Sequence, residues 1–273
     1  MKIAFDVSFI RLTNVGGFKS YVDYLLFGFL EHHFGIENEV ELILITSNNN
    51  QRYYKEKYPF RTINIDFDNR SHIKTIVSCF HLVEKTVLKK KIANLFIPAP
   101  VYPIKNNQIR KIVTIHDLRF KDLPQTFSKL QILKRIISIQ SVMKYSKQLI
   151  AITEFTKKKI NLHYPYAEKK ITHIPNPVKV EINNQDKSIL SALKIEENEY
   201  YYTVSRLDDF KNLKTLIDMY QYLKENHKKE KRLIISGPSG NNSSQVKKMI
   251  KKYNLSSEII LTGFISDEQR NAL

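Results

Sequence analysis

Short apolar runs alternate with amphipathic stretches along most of this 273-residue chain. This alternation is typical of βα units, in which strands form a parallel sheet and helices cover both of its faces. The apolar runs predict seven strands in the first two thirds of the chain, at Lys2–Val7, Val40–Thr46, Thr62–Asp66, Asn94–Ile97, Lys111–Ile115, Gln148–Ile152 and Lys170–Ile174. The predicted fold class is therefore α/β, with a doubly wound, Rossmann-like parallel sheet.

The turn Pro175-Asn176-Pro177 and the polar residues after it interrupt this pattern. We therefore predict an N-terminal Rossmann-like domain over residues 1–178 and a linker over 179–198. The first domain is predicted to contain four helices, at Gly17–His33, Ile73–Leu88, Ser128–Tyr145 and Glu154–His163.

The alternation begins again after the linker, so residues 199–273 predict a second Rossmann-like domain. Its predicted strands are Tyr200–Val204, Arg232–Ser236 and Glu258–Leu261, and its predicted helices are Asn212–Asn226 and Asn242–Tyr253. A complete doubly wound domain has about six strands. Because only three are present, we expect this sequence to be part of a longer protein.

The balance of charges indicates an anionic partner. The chain has 44 lysines and arginines against 27 acidic residues, a net charge of +17. Nucleic acid, an anionic membrane and a phosphorylated substrate would each satisfy this charge. No apolar stretch is long enough to span a membrane, and Asp6 interrupts any signal-peptide core, so we expect a cytoplasmic protein. The single cysteine, Cys79, excludes an internal disulfide and a cysteine-rich zinc site.

Two pairs of residues in the first domain lie where ligands bind in open α/β sheets. Gly16 and Gly17 follow the first strand and open a helix, where the backbone can approach an anion closely. A turn with a helix cap explains them equally well. His116 and Asp117 follow the strand that ends at Ile115. The alternative for this pair is a surface histidine and an aspartate that caps the next turn.

Arg206 and Lys211 follow the first strand of the second domain, next to a helix N-terminus. A guanidinium, an ammonium and free helix amides together would bind a diphosphate. Ion pairs with Asp208 and Asp209 are the structural alternative.

Three other patterns have ordinary structural explanations. Ser236-Gly237-Pro238-Ser239-Gly240 lacks the ending of a nucleotide triphosphatase loop, so a strand-to-helix turn is favoured. Asp66 and Asp68 resemble a divalent-metal pair but are interpreted as a solvated loop. The apolar and basic stretch Ser128–Tyr145 is interpreted as a core helix, with contact to anionic lipid headgroups as the alternative.

Taken in order, several segments resemble glycosyltransferase family 4, which has the two-domain GT-B fold. The matching segments cover most of the chain: Gly16–Tyr21, Ile115–Leu118, Ile152–Lys157, His173–Val178, Val204–Leu207 with Lys211-Asn212, Ile235–Gly237 and Leu261–Ser266. The family's paired glutamates lie beyond Leu273, and Glu268 is not their equivalent. We therefore expect the 273-residue chain by itself to be inactive.

The resemblance implies a retaining hexosyl transfer, without a metal or other cofactor, from a nucleotide-diphosphate sugar bound between the domains to a glycan or lipid-linked acceptor. It implies that Arg206 and Lys211 bind the donor diphosphate, that His116 contacts the transferred sugar, and that Gly16 and Gly17 approach donor or acceptor. Asp117 would support His116. The implied setting is cell-surface polysaccharide biosynthesis, with the protein peripheral on the inner face of the membrane.

Two alternatives belong to other functional classes. A nucleic-acid-binding protein should carry exposed aromatic residues among its basic ones, and the scattered tyrosines and phenylalanines do not favour it, so we expect no nucleic acid partner. A non-catalytic module that binds a polyanion or glycan is the other alternative.

Overall fold

The structure is a computed structural model, and it describes residues 1–12, 17–34, 40–105, 108–178, 184–226 and 231–273. The chain divides into two compact units, Met1–Lys179 and Val180–Leu273. Each unit is built around one parallel sheet with helices packed against it.

Unit 1 contains a sheet of seven parallel strands in the order β3-β2-β1-β4-β5-β6-β7. The strands are β1 (Lys2–Asp6), β2 (Glu41–Ser47), β3 (Arg61–Ile65), β4 (Asn94–Ile97), β5 (Arg110–Ile115), β6 (Gln148–Ala151) and β7 (Ile171–His173). The order reverses between β1 and β4, which lie side by side. Open α/β sheets bind ligands outside the carboxyl ends of the strands at such a reversal.

Within the described residues of unit 1, six α-helices connect these strands, with 3₁₀ turns at Pro124–Thr126 and Pro165–Lys170. The helices are α1 (Gly17–Glu31), α2 (Gln51–Lys57), α3 (His72–Lys89), α4 (Arg119–Asp122), α5 (Lys129–Tyr145) and α6 (Glu154–His163). Three of these helices have a residue with a hydroxyl side chain at the N-cap position. Ser71, Ser128 and Thr153 accept hydrogen bonds from the backbone of α3, α5 and α6, as N-caps do.

The core of unit 1 lies on both sides of its sheet. Four consecutive residues of β2, Leu42–Ile45, are almost entirely buried, as are Ala4 and Phe5 of β1. Because neighbouring side chains of a strand point to opposite faces, an unbroken buried run requires helices on both faces. The prediction of a doubly wound sheet is confirmed.

Unit 2 contains three parallel strands in the order β10-β9-β8. They are β8 (Tyr200–Val204), β9 (Arg232–Ser236) and β10 (Ile259–Gly263), and the helices are α7 (Ser188–Leu193), α8 (Leu213–Asn226), α9 (Ser243–Lys252) and α10 (Asp267–Ala272). Ile217, Leu233, Val246 and Leu255 contribute to its separate apolar core.

Several helices lie where the sequence did not predict one, among them α2 and α7. α2 follows β2, and its Tyr54 is fully buried although the segment is mostly polar. α7 lies within the predicted linker 179–198 and is tied to unit 2, because Arg232 donates hydrogen bonds to the carbonyls of Leu193 and Lys194. Both helices are short, so their own periodicity is a weak signal.

Candidate functional site

The segment after β1 is held in place at the strand reversal of unit 1 by two buried asparagines. The Asn50 amide donates to the carbonyls of Val7 and Ile10, and the Asn69 amide donates to those of Ser8 and Ile10. These bonds provide donors for the carbonyls of Ser8 and Ile10 and add a second donor to the carbonyl of Val7, which also accepts from the Ile10 amide. They fix the path of the chain just before the predicted glycine turn.

His116 lies at the carboxyl end of β5 and is bonded to the segment that follows β4. Its Nε2 atom lies 2.8 Å from the carbonyl oxygen of Pro98. Its own backbone carbonyl accepts a hydrogen bond from the Thr156 hydroxyl, near the start of α6. The backbone and side chain of His116 are therefore both fixed.

Two aromatic rings from α1 pack against the imidazole of His116. The ring centroids of Phe18 and Tyr21 each lie 4.8 Å from that of His116, and the Tyr21 ring meets it edge-on. The Tyr21 hydroxyl lies 3.0 Å from the hydroxyl of Thr114 in β5, so Tyr21 is itself anchored. Phe18 remains partly exposed and forms the outer side of this cluster.

The contact with Pro98 determines the tautomer of His116. A carbonyl oxygen can only accept, so Nε2 carries the proton and Nδ1 of the neutral ring is an acceptor. Burial lowers the pKa of His116 below its usual value, which favours the neutral ring, although the Pro98 carbonyl and the charge of Asp117 oppose this shift. His116 is thus suited to accept a hydrogen bond from a hydroxyl group.

The other predicted site residues of unit 1 are Gly16, Gly17 and Asp117. Gly16 lies outside the described residues. Gly17 is the first residue of α1, and a Cβ atom there would have no neighbour within 4 Å. The Asp117 carboxylate accepts a hydrogen bond from the backbone of Arg119, as expected of an aspartate that caps a turn, and it reaches His116 only through its charge.

Arg206 and Lys211 both lie in the segment between β8 and α8. The Nε atom of Arg206 lies 3.2 Å from a carboxylate oxygen of Asp208, but 57% of the Arg206 side chain is exposed. Lys211 is exposed, its ammonium lies over the ring of Phe210, and none of the described residues forms an ion pair with it. Asp209 instead bonds to Asn241. The expected alternative of ion pairs with Asp208 and Asp209 therefore holds only for Arg206 and Asp208.

Two glycines allow the segment after β9 to pack directly against the Arg206 segment. A Cβ at Gly237, whose φ is +142°, would lie 2.3 Å from the carbonyl oxygen of Ser205. A Cβ at Gly240 would lie 2.3 Å from Asp208 and 2.4 Å from the Leu207 carbonyl oxygen. The Ser236–Gly240 pattern is therefore explained by close packing, which fixes the backbone that carries Arg206.

The structure gives no reason to assign a metal. Within the described ranges, no group of three or more histidine, cysteine or acidic side chains is arranged to hold an ion. Asp66 accepts a hydrogen bond from Asn48, and Asp68 pairs with Arg70. None of the helices in the described part of the chain is long and apolar enough to cross a membrane.

Sequence reasoning missed the residues that fix His116. Phe18 and Tyr21 have the spacing of one helix face, so they are recognisable as neighbours of each other. Pro98 and Thr156 come from two other segments, and no local pattern links them to His116. Thr114 lies two residues before His116 in β5, but it supports the imidazole only through Tyr21. Asn50 and Asn69 also lie far along the chain from the loop they support.

A comparison with protein families relates the second unit to a known enzyme class. The family described as "Glycosyl transferases group 1" matches residues 184–273. This stretch is similar to the glycosyl transferases of group 1. It contains Arg206 and Lys211. A comparison of the sequence with curated proteins gives no significant match.

Solved structures are similar over nearly the whole chain. HepE from Anabaena, in complex with UDP and glucose, has a TM-score of 0.62 and 14% identity, over 98% of this chain and 70% of that one. Sucrose-phosphate synthase from Thermosynechococcus elongatus has a TM-score of 0.67 and 14% identity, over 99% of this chain and 72% of that one. UDP-GlcNAc 2-epimerase from Methanocaldococcus jannaschii has a TM-score of 0.56 and 16% identity, over 100% and 76%. The predicted fold class, α/β of the GT-B type, is confirmed.

Proposed function

We propose that this protein takes part in the transfer of a hexose from a nucleotide-diphosphate sugar to a glycan or lipid-linked acceptor, with retention at the anomeric carbon, as in glycosyltransferase family 4. The observation that carries the proposal is the pair Arg206 and Lys211, exposed in the segment between β8 and α8, inside the stretch that matches the group 1 family. HepE, one of the similar structures, binds UDP and glucose.

Arg206 and Lys211 would bind the donor diphosphate. Nucleotide departure leaves negative charge on the phosphate oxygens, so two cations that are already in place stabilise the transition state more than the bound donor. The ion pair with Asp208 involves Nε and leaves most of the side chain accessible, so it orients the guanidinium without excluding a phosphate. The packing of Gly237 and Gly240 holds this backbone before the donor arrives.

His116 would contact the transferred sugar as a neutral hydrogen-bond acceptor. Its Nε2 proton is committed to Pro98, so Nδ1 is the atom that remains to accept from a sugar hydroxyl. This role requires no proton transfer by His116. Gly16 and Gly17 would approach donor or acceptor, and Asp117 would support His116 through its charge and by capping the following turn. No metal or other cofactor enters the proposal.

The acceptor and the location are also proposals. The net charge of +17 favours an anionic setting. We place the protein in the cytoplasm, peripheral on the inner face of the membrane, where a lipid-linked glycan would be extended during cell-surface polysaccharide biosynthesis. Nucleic acid is not a proposed partner.

Titration calorimetry of this chain with UDP, GDP and ADP, and with the matching nucleosides, tests the donor site. We expect a diphosphate to bind and the nucleosides to bind far more weakly. Arg206→Ala and Lys211→Ala should each weaken diphosphate binding by about tenfold or more, since a charged hydrogen bond contributes about 1.5–3 kcal/mol. Lys214→Ala is the control, because Lys214 is an exposed cation on α8 that already pairs with Asp218.

Two results would replace this proposal. A chain that binds glycans or polyanions but no nucleotide would be the non-catalytic module. The epimerase among the similar structures means that the fold alone does not select transfer. The test uses the natural protein that contains this sequence. Epimerisation of a nucleotide sugar without an acceptor would contradict transfer. Acceptor-dependent release of the nucleoside diphosphate, slowed by His116→Ala, would support transfer.

A further inference from the structure

The outer side of α5 carries an apolar stripe that packs against no part of the described core. Leu130, Leu133 and Ile137 lie on this side, while Ile139 and Val142 face the sheet. A surface helix of a globular protein normally has one apolar side and one polar side. The sequence interpretation of α5 as a core helix is therefore correct for only part of its apolar residues.

α3 continues this apolar surface. Ile73 and Val77 lie one turn apart on its outer side, and all five aliphatic side chains are between 49% and 60% exposed. The two helices flank one connecting segment, because the Ile104 amide donates to Ser141 of α5 and the Lys105 amide donates to Glu84 of α3. The charges of Lys134 and Arg135 also act on His72 at the start of α3. We name these five residues and the lysines around them the α3–α5 face.

The charge of the α3–α5 face has one sign. α5 contains four basic residues and no acidic one, and the only acidic residue of α3, Glu84, is buried. Exposed lysines on the two helices and the connecting segment are Lys74, Lys85, Lys105, Lys129 and Lys144. These lysines form no ion pair with any residue in the described part of the chain, and aliphatic side chains among such cations are complementary to a surface that is apolar inside and anionic outside.

We propose that the α3–α5 face docks onto an anionic lipid bilayer, with the aliphatic side chains entering the acyl boundary and the lysines binding headgroup phosphates. The exposed apolar residues are leucine, isoleucine and valine, whereas single-stranded nucleic acids bind to aromatic platforms. A second copy of the chain would bring two cationic faces together. The assignment rests on the proposed function in that it names the surface where a lipid-linked acceptor would be met.

Co-sedimentation with vesicles tests this surface without any nucleotide or acceptor. We expect the full chain to bind phosphatidylcholine vesicles that contain phosphatidylglycerol, and to bind pure phosphatidylcholine vesicles much more weakly. Leu133→Ser with Ile137→Ser should reduce binding by about tenfold or more, because burial of two aliphatic side chains is lost. Lys129→Glu with Lys134→Glu should reduce it at least as much at low salt.

Each pair has a matched control in unit 2. Met219→Ser with Tyr222→Ser removes two similarly exposed apolar residues from α8, which carries mixed charges. Lys247→Glu with Lys248→Glu makes the same charge change on α9, which lacks an exposed aliphatic stripe. We expect both controls to retain at least half of the wild-type binding.

Three results would overturn the proposal: no binding to anionic vesicles at low salt, equal losses in the control pairs, or tighter binding to RNA that the leucine and isoleucine substitutions leave unchanged. Nucleotide calorimetry on the same variants keeps the two proposals separate. The vesicle variants should bind nucleoside diphosphates normally, and Arg206→Ala should bind vesicles normally. All the altered residues are exposed or half-buried, and circular dichroism checks that each variant is folded.

Discussion

The Nε2 atom of His116 lies 2.8 Å from the carbonyl oxygen of Pro98, so the residue after β5 is bonded to the residue after β4. This bond joins the carboxyl ends of two neighbouring strands close to the reversal of strand order. It also orients the imidazole and selects the nitrogen that carries the proton.

We expect nuclear magnetic resonance to find His116 neutral at neutral pH, with the proton on Nε2. Long-range ¹H–¹⁵N spectra distinguish the two nitrogens, and a spectrum of His116→Asn identifies the signals. Because burial lowers the pKa of His116, its midpoint should fall below that of a free histidine. A proton on Nδ1, or a raised midpoint, would contradict the acceptor role.

Tyr102→Phe should destabilise the protein more at neutral than at acid pH. The Tyr102 hydroxyl donates to the fully buried Asp6 carboxylate, whose pKa is raised by burial although this bond and Ser8 oppose the shift. Without the Tyr102 hydroxyl, the pKa of Asp6 in the folded state rises further. The unfolded chain then holds fewer protons than the folded one above the unfolded-state pKa, so stability falls as pH rises. We expect a loss of about 2 kcal/mol near pH 7.

Urea unfolding at several pH values measures this effect, with Tyr54→Phe as its control. Tyr54 is equally buried, but its hydroxyl has no hydrogen-bond partner among the described residues. Removal of that hydroxyl should cost almost nothing at any pH. If the two variants behaved alike, the buried carboxylate would not be the cause.

Gly237→Ala should destabilise unit 2 by about 3 kcal/mol or more and weaken nucleotide binding. An alanine there combines an unfavourable φ of +142° with a Cβ placed 2.3 Å from a backbone oxygen of Ser205. Movement of the Ser205 segment would displace Arg206. Thermal unfolding and calorimetry measure the two effects.

Gly28→Ala is the control for this substitution. Gly28 lies inside α1, where an added Cβ has no neighbour within 4 Å. The alanine should be neutral or stabilise by up to about 1 kcal/mol, because alanine favours helix more than glycine does. Similar behaviour of the two glycine variants would show that close packing of the loop is unimportant.

Lys111→Met should destabilise unit 1 by about 3–5 kcal/mol, because it leaves Glu84 buried without its cation. Lys111 is fully buried, and its ammonium lies 3.7 Å from the Glu84 carboxylate. Adding Glu84→Gln should recover much of the loss, since glutamine can still accept from the Lys105 amide. Chemical denaturation of the wild type and of the single and double variants gives a double-mutant cycle. A double variant as unstable as Lys111→Met would refute the pairing argument.

The local pattern of residues predicted most of the secondary structure. Runs such as Leu42–Ile45 are apolar because both faces of their strand are covered. The order of apolar residues therefore indicates which strands are buried. The same reasoning placed His116 and Arg206 after strands, since a strand's end is visible where its apolar run stops. Whether the two residues bind a donor remains a prediction.

Contacts between distant segments could be read only from the tertiary structure. The bonds from His116 to Pro98 and from Asn69 to Ile10 join residues on separate elements. Side chains with ordinary local roles acquire these partners only when the strands assemble in the order β3-β2-β1-β4-β5-β6-β7.

α5 shows what the sequence determined and what only the tertiary structure decided. Its sequence determined a helix with one broad apolar side. Only the packed structure decided that Ile139 and Val142 face the sheet while Leu133 and Ile137 are exposed. Periodicity reports the angle between side chains around a helix axis, but the neighbours that bury one side are supplied by other parts of the chain.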